Sequence, residues 1–110
     1  MTEHQIMDQI RSTLAGEPHK KERKMFGKQA FLVCEKLCLA IGKGELLVRF
    51  DPKQHETILH DHPCRPVQMR GRTYNGYVYV PVEQIRNSEA LAFWVDLALR
   101  FNRRLVKGEP

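Results

Sequence analysis

Ile6, Ile10 and Leu14 recur at the spacing of one helical face, and Thr2 stands three residues before Gln5 as in a capping box. Gly16 and Pro18 supply a stop, so the pattern predicts a helix over residues 3–15. After a polar and strongly basic stretch, residues 17–24, read as a connection, the period changes. Leu37, Leu39 and Ile41 alternate with Cys38, Ala40 and Gly42, while Leu46, Val48 and Phe50 alternate with Leu47 and Arg49. That is the period of strands with one face buried. Gly27-Lys28, Glu35-Lys36 and Lys43-Gly44 break the apolar runs and are too short for a crossover helix, which predicts a four-stranded antiparallel meander.

Asp51 followed by Pro52 marks a second, short helix through Ile58 and Leu59, closed by His62-Pro63. Residues 66–70 and 74–80 read as two more strands. Gly71-Arg72 and Asn75-Gly76 compete for the turn between them; the first leaves strands of matched length, with Gly76 as a bulge or bend. A helical turn over residues 81–86 precedes a last helix, capped by Asn87 or Ser88 and running to about Leu105. Leu91, Trp94, Leu97, Ala98, Phe101 and Leu105 share one of its faces; Asp96, Arg100, Arg103 and Lys107 share the other. Helix, strands, helix, strands, helix without repeats specifies an α+β fold, and 110 residues suit one domain, 1–110, with one core.

Composition adds little to this picture, since 42% hydrophobic and 28% charged residues are ordinary for a folded domain. No apolar run is long enough to span a bilayer and the first ten residues are not a signal peptide, so a cytoplasmic location and no membrane partner are expected. The three cysteines, Cys34, Cys38 and Cys64, have no disulfide-framework spacing and read as small hydrophobes. The formal net charge of +5 is compatible with a polyanionic partner and does not demand one.

The ordered pieces Lys24-Met25-Phe26-Gly27, Leu46-Leu47-Val48-Arg49, Arg65-Pro66 with Gly71-Arg72, and Gly76-Tyr77-Val78-Tyr79-Val80 resemble the TfoX N-terminal domain family, the module at the front of the TfoX/Sxy regulators of natural competence. The resemblance runs from about Arg23 to Leu105. It implies a curved antiparallel sheet of about six strands flanked by N-terminal, short central and C-terminal helices, similar to the MmcQ/YjbR family. It also implies a regulatory module that acts with a transcription activator rather than as an enzyme. The competence regulators continue into a second, helical domain that these 110 residues do not include, so a competence role is not carried over. The turn at Cys34-Glu35-Lys36 departs from the family by lacking Asn-Gly or Asp-Gly.

Candidate contact residues form two groups. Lys20, Lys21, Arg23, Lys24 and Lys28 are the densest cationic run, with Phe26 inside it; they would neutralise phosphates, or else form a solvated edge that resists strand pairing. Arg70 and Arg72, with Arg65, interleave with Tyr74, Tyr77 and Tyr79, a mixture suited to protein or nucleic-acid contact or to plain packing. A metal site is not expected. His55-Glu56 with His60 is one residue too long for a zinc-binding helix pair, which turns the second histidine about 100° from the first, and His62 and Cys64 flank Pro63. No cofactor is expected, because Gly42-Lys43-Gly44 lacks the length and the Lys-Ser/Thr of a phosphate loop. Neither Ser12 nor Ser88 has a histidine in a recognisable arrangement. A non-catalytic module that binds a protein, nucleic acid or both is therefore expected, with self-association as homodimer the alternative.

Overall fold

The computed structural model describes residues 1–108. Helix α1 (Glu3–Leu14) opens the chain, and its capping box forms as expected: Gln5 N–H donates to Thr2 Oγ1 at 3.1 Å and Thr2 N–H to Gln5 Oε1 at 3.0 Å. Four strands follow, β1 (Lys20–Met25), β2 (Lys28–Val33), β3 (Lys36–Gly42) and β4 (Glu45–Arg49). Asp51 caps a 3₁₀ turn, Pro52–Gln54, that leads into α2 (His55–Asp61). Strands β5 (Arg65–Met69) and β6 (Arg72–Pro81), a second 3₁₀ turn, Val82–Gln84, and α3 (Ser88–Val106) complete the order.

The strands make one six-stranded antiparallel sheet in the order β1-β2-β3-β4-β6-β5. The α+β reading and the meander of the first four strands hold. Two local expectations change. Residues 20–24 are strand rather than connection: Lys20 pairs with Val33 and Lys24 with Gln29, so the ladder with β2 defines β1 although it has no apolar alternation of its own. Three of the turns are displaced by one residue, and the two-residue loops are Phe26-Gly27, Cys34-Glu35, Lys43-Gly44 and Arg70-Gly71. Both loop residues have positive φ in each, for example 53° at Arg70 and 75° at Gly71. This is the mirror-image turn whose twist matches that of the strands, and in three of the four a glycine stands second.

Asn75-Gly76 is not a turn. The β5–β6 register shifts between the Pro66↔Val78 and Gln68↔Thr73 pairs, and Gly76 lies in the resulting bulge at φ 89°. The bulge is held from both sides, Gly76 N–H donating to His55 Nδ1 at 3.1 Å and Gly76 C=O accepting from Phe50 N–H at 2.8 Å.

One side of the sheet carries the main core. Phe31, Leu39, Ile41, Leu46, Val48, Val78 and Val80 pack there against Ile6, Ile10 and Leu14 of α1, Ile58 of α2, and Leu91, Trp94 and Leu97 of α3. Inside it Asn102, on the apolar side of α3, donates from Nδ2 to the Val33 carbonyl at 3.1 Å, so the helix is tied to the end of β2 by a buried polar group.

Candidate interaction surface: the uncovered face of the sheet

Antiparallel partners project side chains to the same side, so the β1–β2 register divides the cationic run. Lys20, Glu22 and Lys24 project with Phe31 and Gln29 toward the helices; Lys21 and Arg23 project with Leu32 and Ala30 to the other side. Several of these charges have local work. Lys20 Nζ donates to the Ala15 carbonyl at the end of α1 at 2.7 Å, and Arg11 forks onto Glu22 at 2.8 and 2.9 Å. The Arg11 guanidinium, helped by Gln29, holds the Glu22 carboxyl below its ordinary range. Lys21 pairs with Glu35 and depresses that carboxyl in the same way. Lys28, paired with Met25 and two residues from Ala30, lies on that other side as well but is buried there: it is only 6% exposed, 3.2 Å from Glu45 and 5.2 Å from the centre of the Tyr79 ring. The structure thus brings Lys21, Arg23 and the buried Lys28 to one side and sends Lys20 and Lys24 to the other.

On that side a second apolar cluster forms, built from strands alone. Ala30, Leu32, Ala40, Leu47 and Val67 are buried in it, with Met25, Leu37 and the three tyrosines packed around them. No described helix contributes to it. Its burial comes from neighbouring strand side chains, and the face stays open as a cleft of about 350 Å³ between the β1–β2 and β5–β6 hairpins. Phe26, 74% exposed, stands at the first tip and Met69, 47% exposed, beside the second. Two large apolar side chains thus stand exposed at the mouth of an apolar cleft.

Cations frame the cleft. Arg65 lies over Tyr79 at 4.5 Å and pairs with Glu45, so Glu45 is held between Lys28 and Arg65. Arg49 lies 5.6 Å from the centre of the Tyr77 ring and Arg72 5.9 Å from that of Tyr74. Arg70 occupies the β5–β6 turn. Of the residues singled out from sequence, Lys21, Arg23, Lys28, Arg70 and Arg72 therefore belong to this side or its tips, Lys28 buried and the others exposed. The apolar floor was missed: Met25, Leu37, Leu47 and Val67 carry no signal of their own, because an outward apolar residue in a strand looks like any core residue. Tyr77 and Tyr79, two apart on one strand, were the legible part.

A groove of similar volume, about 360 Å³, runs between α1 and β1, but the Arg11–Glu22 fork lies in its wall and satisfies its polar groups internally. The histidine and cysteine segment disperses. His55 faces the Gly76 bulge and stacks on Phe50, His60 meets Asp61 at 2.8 Å, and His62 stacks on Phe93 at 4.4 Å beside Trp94. Cys64 Sγ points to the Ile58 carbonyl, and burial pushes its thiol up. Among the described residues no group of three His, Cys, Asp or Glu side chains converges. Burial pushes the Cys38 thiol up to about 12, so it is protonated and unreactive at neutral pH. No described helix is long and apolar enough to cross a membrane.

The family model described as the TfoX N-terminal domain matches residues 12–102. That span includes all six strands and most of α3. No curated protein and no solved structure matches the chain.

Proposed function

The chain belongs to the TfoX N-terminal domain family, generally regulatory rather than catalytic, and from that premise we propose that it is a non-catalytic adaptor which binds a protein partner on the uncovered face of its sheet. One observation carries the reading: all three helices pack on one side, while the other side keeps an apolar cleft flanked by exposed Phe26 and Met69. The inert Cys38 thiol and the dispersed histidines favour contact over chemistry. A part in transcription regulation, reached through a protein that itself holds DNA, fits the family.

The test is site-specific photo-crosslinking in the native host. A photoreactive residue placed at Phe26 or Leu37, on the cleft, is expected to capture a discrete protein, whereas the same residue at Asp96, on the outer face of α3, captures none. Crosslinks from Asp96 alone would sink the proposal.

Direct contact with nucleic acid is the second reading, favoured by Lys24 and Arg70, which have no ion pair among the described residues. Four cations engaging duplex phosphates would lose on the order of a hundredfold in affinity between about 50 and 200 mM salt. Fluorescence anisotropy on a generic duplex tests this, and absence of binding at low salt removes it.

A further inference from the structure

We infer that the occupant of the cleft is a protein segment with apolar anchors flanked by acidic side chains; this rests on the reading of the open face as the contact surface. The floor fixes the first half of that description. Leu47 and Val67 are buried at its base, and a phosphate or sugar would find almost no polar partner there, whereas leucine, methionine or phenylalanine anchors would bury against it and against Phe26 and Met69.

The rim fixes the second half. Arg23 projects beside Ala30 on this side and, among the described residues, neither it nor Arg72 has an ion pair, Arg72 lying over the Tyr74 ring. The neighbouring carboxylates, Glu35 and Glu45, are already paired with lysine or arginine. The uncompensated charge around the cleft is therefore positive, and acidic flanks complement it.

Two other occupants fit less well. A second copy of this chain, docking face to face, would set the same cationic rim against itself. Single-stranded nucleic acid binds on a sheet by stacking bases on exposed aromatic rings. Here Tyr74, Tyr77 and Tyr79 each already carry an arginine over the ring.

Three labelled probes decide the matter by fluorescence anisotropy with the intact chain at low salt: a short amphipathic peptide of leucine and phenylalanine anchors separated by glutamates, its counterpart with lysine for every glutamate, and a single-stranded DNA of similar length. The acidic peptide is expected to bind at least about tenfold more tightly than the lysine peptide. In the double variant R23E/R72E that order reverses, and in F26A/M69A both peptides weaken by about tenfold or more. All four positions are solvent-exposed, so the variants leave the core intact. Equal binding of the two peptides, tighter binding of the DNA, peptide binding indifferent to both variants, or no peptide binding would each overturn the inference. Face-specific crosslinks obtained together with any of those results would leave the adaptor reading standing and remove only the acidic partner.

Discussion

At Gly76 the backbone combines a positive φ of 89° with a neighbour that leaves no room, since a Cβ there would stand 2.7 Å from the Phe50 carbonyl oxygen. Gly76→Ala is expected to cost about 2 kcal/mol or more in urea unfolding, from the backbone conformation and the steric shift together. His55, 4% exposed, supplies the acceptor for the Gly76 N–H, which places its own proton on Nε2. His55→Ala would strand that buried N–H and open a space beside Phe50, for a loss of about 2–3 kcal/mol. The glycine was legible as a bulge because it sits inside an apolar strand pattern. The histidine was not, because its partner is far along the chain and its local neighbours His60, His62 and Cys64 suggest metal chemistry instead. The cysteines separate cleanly at this scale as well. With its thiol pushed up to about 12 and buried, Cys38 should resist iodoacetamide in the native protein and react only after unfolding, as mass spectrometry of the alkylated chain would show.

Among the elements, the hairpins show what sequence carries and what it leaves out. Three of the four turns have glycine second, and each was recognised as a break although two were placed a residue late, since a glycine marks the turn without saying which half of it the glycine fills. The β2–β3 turn has no such marker; Cys34 and Glu35 take φ 52° and 66° without one. Glu35→Gly should therefore stabilise the protein by about 1 kcal/mol, less a few tenths for the exposed Lys21 pair it removes, and raise the melting temperature by several degrees in calorimetry. Strand β1 was hidden for a different reason. Its six residues are charged but for Met25, and their extended state comes from hydrogen bonding to β2 rather than from burial. As one of the two outer strands of the sheet it is also a place where lysines and arginines obstruct pairing with another molecule.

For the whole molecule, ion pairs reinforce contacts between segments distant in sequence. Asp51, after β4, pairs with Arg104 on α3, and Glu22 on β1 pairs with Arg11 on α1. The Lys53 backbone N–H and then Arg104 hold the Asp51 carboxyl below its ordinary value, as Arg11 does for Glu22. A depressed carboxyl adds stability that is complete above its unfolded value, near pH 4, and is lost as pH falls through the folded one. Urea midpoints are thus expected to drop below about pH 4, and Asp51→Asn should be less stable than wild type at pH 7 with a shallower acid decline. The two-residue loops have a further consequence, which concerns speed. Hairpin loops close β1–β2, β2–β3, β3–β4 and β5–β6 between sequence neighbours, whereas β4–β6 must join Glu45 to Pro81 and Arg49 to Tyr77 across the intervening helix and strand. The entropy of chain closure is concentrated at that one seam. Refolding is accordingly expected to be limited by the arrival of β6 at β4: Val78→Ala should slow the folding arm of a stopped-flow chevron, whereas Glu35→Gly should act mainly on the unfolding arm.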